Sequence, residues 1–128
     1  MDSIPSLDDA LVMEFVGQSH GNLPRVQELL GETPALVNAC WDWGGGDWET
    51  GLGAAAHMGR RDIAEYLLAN GARIDIFAAA MLGKLDIVMT ILTDNPSAAR
   101  QLGPHGIPLL AHAAAGEASE VVAYLEAL

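Results

Sequence analysis

An all-α fold of stacked helix pairs is predicted by three features of the sequence. The 128-residue chain is 51% hydrophobic but only 5% aromatic, so much of its apolar content is alanine, which suits close packing of helices. Four glycines are each followed by apolar residues at the same offsets: Gly21, Gly59, Gly83 and Gly116. Runs of three alanines precede the last three of these glycines. We therefore expect about four helix–turn–helix units, which must stack because one pair alone cannot bury its apolar face.

The repeated offsets place an apolar stripe on the second helix of every unit. Five positions after the glycines stand Val26, Ala64, Val88 and Val121, and large residues follow at the eighth and ninth positions. Such spacing gathers the apolar side chains on one helical face. We expect a single domain over residues 1–128, with units at roughly 6–37, 38–74, 75–101 and 102–128.

The best copy of the repeat resembles a known family. It reads Thr50-Gly51-Leu52-Gly53-Ala54-Ala55-Ala56-His57-Met58-Gly59, then Ile63-Ala64-Glu65-Tyr66-Leu67-Leu68, then Asn70-Gly71-Ala72. This is similar to the ankyrin repeat, whose pattern is Thr-Pro-Leu-His-x-Ala-Ala-x-x-Gly, Ile-Val-x-x-Leu-Leu and Gly-Ala. Gly51 replaces the proline and Gly53 the histidine, whereas the last copy has His112 in place of an alanine. The resemblance covers nearly the whole chain and implies an ankyrin-repeat solenoid that serves as an interaction scaffold.

The glycine spacing predicts one enlarged and one missing finger, the finger being the hairpin that projects between ankyrin units. The family repeat is 33 residues, and the last interval, from Gly83 to Gly116, has that length. The first interval is five residues longer, and its excess falls in the segment 40–48, which contains all three tryptophans and three consecutive glycines. The middle interval is nine residues shorter and leaves no room for a finger. We expect the enlarged finger to fold over residues 77–82 and to reach residues 103–106.

The resemblance also implies a binding face, lined by the fingers and by the two residues before each repeat glycine. Together with the histidines that could face it, the predicted ligand- or partner-binding set is Trp41, Asp42, Trp43, Asp47, Trp48, Glu49, His57, Met58, Met81, Leu82, His105 and His112. Aromatic walls with a few polar groups suit a small molecule, and tryptophan faces with carboxylates suit a cation. The alternative interpretation is that the tryptophans only replace the core lost with the missing finger.

The histidines have structural interpretations as well. For His57, a surface position bonded to a neighbouring finger is an equal alternative. For His105, a structural role in the Gly-Pro-His-Gly turn is favoured. A hydrogen-bonded core position is favoured for His112, and a solvated position at the groove edge for His20.

Metal binding and catalysis have weaker signals. His57, His105, His112, Asp42 and Asp47 are suitable ligand types, but they have no short ligand spacing, so we predict no metal site and no cofactor. The alternative function is a small-molecule enzyme, or an enzyme accessory, in which Asp42 or Asp47 pairs with His57 or His105 for acid–base chemistry. No catalytic residue is assigned. Cys40 is expected to be a small buried hydrophobe.

Charge narrows the choice of partners. The net charge of −11 argues against nucleic acid and against an anionic membrane surface. The remaining candidates are a protein partner and a small neutral or cationic ligand. The N-terminal residues do not resemble a signal peptide, and the single cysteine excludes an internal disulfide, so a cytoplasmic protein is expected. The apolar C-terminal residues 121–128 predict a homodimer contact, since terminal repeats normally need a polar outer face.

Overall fold

The structure, a computed structural model, describes residues 3–128 and is mostly helical. Within that range it contains eight α-helices in four consecutive pairs: α1 (Asp9–Gln18), α2 (Leu23–Glu32), α3 (Gly51–His57), α4 (Arg61–Ala69), α5 (Ile76–Met81), α6 (Leu85–Asp94), α7 (Leu109–Ala115) and α8 (Ser119–Glu126). Short 3-10 helices span Pro34–Asn38, Pro96–Arg100 and Pro104–Gly106. The predicted predominance of helix is thus confirmed.

A β-hairpin stands between the first and second helix pairs. Its strands β1 (Cys40–Asp42) and β2 (Trp48–Thr50) are antiparallel, with Trp41 opposite Glu49. The reversal between them uses Gly44, Gly45 and Gly46, all with positive φ angles that favour glycine. Asp42 organises this reversal, because its Oδ1 accepts hydrogen bonds from the Gly44 and Gly46 N–H groups at 2.8 and 3.0 Å.

The first helices of the pairs pack side by side in chain order. α3 contacts α1 and α5, and α5 makes its most extensive contact with α7. The alanines of residues 54–56 and 78–80 are fully buried in these contacts. A Cβ added at Gly116 would overlap the backbone carbonyl of Met81, and one at Gly59 would lie 2.5 Å from the carbonyl oxygen of Ala115. Small residues therefore set how closely neighbouring pairs approach.

Two apolar clusters form the core. One joins α1–α4 and part of α5 around Phe15, Leu36 and Leu67, and the other joins α5–α8 around Val88 and Leu109. Among residues 3–128, every helix falls short of the length and hydrophobicity that crossing a bilayer requires.

The prediction that Met81 and Leu82 line the binding face is wrong. Both side chains are buried in the core, since α5 is enclosed between α3 and α7 and the Met81 carbonyl lies against Gly116. These two positions of the family repeat therefore do not reach the surface here. Met58, by contrast, is exposed as the resemblance implies.

Candidate functional site

The buried carboxylate of Glu49 is the centre of the candidate site. Its side chain has no solvent exposure. Successive residues of a strand face opposite sides, so β2 turns Glu49 inward and Trp48 outward. Three imidazole Nε2 atoms surround the carboxylate: His20 lies 3.2 Å from Oε1, and His57 and His105 lie 3.0 and 3.1 Å from Oε2.

His20 and His57 come from the ends of two neighbouring helices. His20 follows α1, and its Nδ1 lies 3.1 and 3.0 Å from the carbonyl oxygens of Val16 and Gly17. A carbonyl oxygen only accepts, so Nδ1 carries the proton, and Nε2 is the nitrogen turned toward Glu49. His57 is the last residue of α3, and only a tenth of its side chain is exposed.

His105 is delivered by a left-handed turn and is held by Asp47. Its φ angle of 61° lies in a region that non-glycine residues rarely adopt, which costs on the order of 1–3 kcal/mol. The His105 N–H donates to Asp47 Oδ1 at 2.7 Å, and its Nδ1 lies 2.7 Å from Oδ2. The pKa of Asp47 is lowered mainly by the hydrogen bond from the His105 backbone N–H, and in addition by the His105 imidazole. The contact expected between the enlarged finger and residues 103–106 is therefore present.

Trp43 covers one side of the cluster. Its Nε1–H donates a hydrogen bond of 2.9 Å to Glu49 Oε1. The Trp43 ring centroid lies 6.3 Å from those of His20 and His105. An aromatic wall and a polar donor thus come from the same side chain.

The electrostatics keep Glu49 ionised. Burial by itself raises the pKa of this carboxyl, but His20, His57 and the Trp43 N–H outweigh it and lower the pKa from 4.5 to about 2. The hydrogen bond with Glu49 is the main reason that the pKa of His20 is raised. Despite their 3.0 Å separation, Glu49 Oε2 and His57 Nε2 are buried without any hydrogen-bond partner.

The structure gathers only part of the predicted set at this cluster. Trp43, Asp47, Glu49, His57 and His105 come together. The remaining residues lie elsewhere: Trp41 packs against the first core cluster, Asp42 belongs to the hairpin reversal, Trp48 and Met58 are exposed, Met81 and Leu82 are buried, and His112 is buried 4.8 Å from the Phe77 ring.

The expectation that His20 is solvated is wrong. Only 26% of its side chain is exposed, because the hairpin folds back over the end of α1 and brings Glu49 against the ring. A sequence signal did exist. His20 and His57 both occupy the two positions before a repeat glycine, and neighbouring units place such positions next to each other.

Comparison with known proteins finds one family match. Residues 47–78 match the ankyrin repeat family model, a segment that includes Asp47, Glu49 and His57 together with α3 and α4. No curated protein matches the chain. The predicted recognition is thereby confirmed: the chain contains an ankyrin repeat, at residues 47–78.

Proposed function

We propose that this chain is a binding module that recognises a protein partner through the outer face of its hairpin. Ankyrin repeats generally mediate protein–protein binding. One observation supports placing the contact at the hairpin: the large side chain of Trp48 is 59% exposed on a short, hydrogen-bonded β-ribbon. Exposed tryptophans on rigid elements are frequent anchors of protein interfaces.

Trp48 stands between two cavities of about 240 Å³ each. One is lined on its apolar side by Val12 and Trp41, and the other by Phe77, Leu102 and Pro104. Leu102 is itself 63% exposed, so apolar surface continues from the hairpin to the connection between the third and fourth helix pairs. A partner side chain could enter either cavity while packing against the indole.

Carboxylates surround this apolar surface. Asp9 and Asp42 line the first cavity and Asp47 lines the second, in a chain whose net charge is −11. The complementary partner is a protein segment with an apolar side chain flanked by lysine or arginine, since such charges speed association and exclude acidic competitors.

The repeat frame supports this arrangement. We infer that the helix pairs are solenoid units over the predicted ranges 6–37, 38–74, 75–101 and 102–128. The packing of α1, α3, α5 and α7 in chain order supports the inference. In such a frame the connections between units lie along one edge, which presents the hairpin and Leu102 on the same side.

Selection from random peptides displayed on phage tests the proposal. We expect the wild-type chain to enrich peptides in which an apolar residue is flanked by basic ones, and Trp48→Ala to weaken their binding at least tenfold. Leu128→Ala is the matched control, because Leu128 is equally exposed but lies at the far end of the chain. Selected peptides that bind Trp48→Ala as tightly as wild type, or that lose affinity with Leu128→Ala, would contradict the proposal.

The alternative, acid–base catalysis by an aspartate–histidine pair, has one favourable contact. Asp47 and His105 are within hydrogen-bond distance, and the carboxylate fixes the orientation of the ring. Catalysis also needs a cavity at the reactive nitrogen. The cavity that Asp47 lines is bordered by neither His57 nor His105. The enzymatic alternative therefore stays a prediction from the sequence.

A further inference from the structure

We propose that Glu49, His20, His57 and His105 form a binding site for one divalent first-row transition metal ion, with zinc as the best match. This site goes beyond the proposed partner binding, which rests on the opposite face of β2. Each of the four residues offers one ligand atom, and these atoms all lie within 4.8 Å of one another. The sequence predicts no metal site, and the suitable ligand types noted in it include His57 and His105 but neither Glu49 nor His20.

The distances suit a tetrahedral ion. Zinc bonds to imidazole nitrogen and to carboxylate oxygen at about 2.0–2.2 Å, so adjacent ligand atoms are about 3.3 Å apart. Glu49 Oε2 lies 3.0 and 3.1 Å from the Nε2 atoms of His57 and His105, whereas His20 Nε2 lies 3.2 Å from the other oxygen, Oε1. All four ligand atoms lie within 4.8 Å of one another, so the pairs that are farthest apart must approach for one ion to bind. Three nitrogen donors also favour zinc, copper, nickel or iron over magnesium and calcium.

Two of the ligand atoms are buried and poorly satisfied. Glu49 Oε2 and His57 Nε2 lie 3.0 Å apart, shielded from solvent, and neither has a well-aligned hydrogen bond, although Oε2 is also 3.1 Å from His105 Nε2. Buried polar atoms without well-aligned hydrogen bonds are destabilising. A cation between these atoms would satisfy both at once.

The outer contacts are those that metal sites use to orient their ligands. His20 directs Nδ1 to backbone carbonyls and His105 directs Nδ1 to the Asp47 carboxylate, so both rings turn Nε2 to the centre. Metal-binding histidines almost always donate their second N–H in this way. Trp43 donates to Glu49 Oε1, which leaves Oε2 as the free ligand atom.

A proton is the competing occupant of the cluster. Neutral His57 can carry its proton on Nε2 and donate to Glu49, whereas His20 and His105 carry theirs on Nδ1. Protonation of one of these two rings would add a donor, but the other would still turn an unprotonated Nε2 to the carboxylate. A divalent ion satisfies all four groups together. The carboxylate and the Asp47 charge also offset the charge of the ion.

Titration of the full chain, first freed of metal with a chelator, with Zn²⁺ and with Co²⁺ distinguishes these occupants. We expect one Zn²⁺ per chain by calorimetry, a rise in melting temperature, and the intense visible absorption of tetrahedral Co²⁺. No saturable Zn²⁺ binding by a folded chain would overturn the proposal.

Variants assign the ligands. His105→Asn removes an imidazole while keeping a residue that tolerates a positive φ angle, and we expect it to weaken Zn²⁺ binding at least a hundredfold. Asp47→Asn should weaken it about ten- to a hundredfold, as loss of an outer partner does. Asp62→Asn on α4 is the control carboxylate, since its partner in the structure is Arg60. His112, which lies outside the proposed site, is left unchanged in every variant. Circular dichroism establishes that each variant is folded. Unchanged affinity in His105→Asn, or an equal loss in Asp62→Asn, would contradict the assignment.

Discussion

The connections that lead into α3 and α5 perform the same task with very different lengths. Each delivers the chain to the first helix of the next pair, and each ends in a side chain that caps that helix. Thr50 Oγ1 accepts from the third N–H of α3 at 2.9 Å, and Asp75 Oδ1 does the same for α5 at 2.8 Å. The hairpin lies entirely within the first connection, whereas residues 70–75 form no strand.

The short connection is held by a single side chain in place of a hairpin. Asn38 donates through Nδ2 to the Gly71 carbonyl at 3.1 Å and accepts from the Arg73 N–H at 2.9 Å. Continuing the stack therefore requires a cap and a few local hydrogen bonds. The hairpin is additional to that requirement, which leaves its residues free to form the Glu49 cluster and the Trp48 surface.

The largest expected effect concerns the residue that follows each cap. Ile76 occupies that place after the short connection, whereas Gly51 occupies it after the hairpin. A Cβ at Gly51 would lie 2.7 Å from the buried Phe15 ring and 2.9 Å from Ser19 Oγ. Gly51→Ala should therefore lower the free energy of unfolding by about 1–3 kcal/mol in urea denaturation, as overpacking does.

Gly31→Ala is the matched control for that substitution. Gly31 lies within α2, and nothing is within 4 Å of an added Cβ. Alanine there should stabilise the chain by about 0.5–1 kcal/mol. If both substitutions had the same effect, close packing at the hairpin end of α3 would not be what selects glycine.

Removal of either cap is expected to lower the free energy of unfolding by less than Gly51→Ala does, and by the same amount for both caps. Thr50→Ala and Asp75→Ala should each lower the free energy of unfolding by about 1 kcal/mol, because each removes one capping hydrogen bond. Thr93→Ala, an exposed substitution in α6, should change stability by less than about 0.5 kcal/mol. A much larger loss for Thr50→Ala would show that the stack depends on the hairpin as well as on the cap.

The smallest effect concerns His112, which packs against Phe77 just after the short connection. Burial is the main cause that lowers its pKa, and nearby His57 acts in the same direction, whereas the Pro108 carbonyl and Asp75 raise it. The folded state thus resists a proton that the unfolded state accepts below about pH 6.5. The contribution of His112 to stability is full above that pH and falls as the pH decreases through it.

Titration of the His112 ring by NMR measures this shift directly. We expect a midpoint below that of histidine in an unstructured peptide, and His112→Gln should flatten the acidic limb of the stability curve. A midpoint equal to that of histidine in an unstructured peptide would contradict this expectation and would mean that water reaches the ring from the Phe77 side.

Local periodicity made the helical frame predictable. Each repeat glycine and alanine run acts within one or two turns of chain, so offsets alone identify the helix pairs. The cluster depends instead on contacts between distant segments. Glu49 faces inward only because of the hairpin register, and His105 reaches it only through a left-handed turn. No local spacing encodes either feature, which is why the sequence does not identify Glu49 as a metal ligand.

The contact between Asp47 and His105 joins residues 58 positions apart and spans the second and third helix pairs along the chain. Repeat arrays normally unfold by fraying from their ends, since each unit interacts only with its neighbours. His105 lies in the connection that leads into the fourth helix pair, so its contact with Asp47 ties that connection to the hairpin. We expect detachment of the last pair to break this contact, so that the hairpin acts as a clasp on the far end of the array.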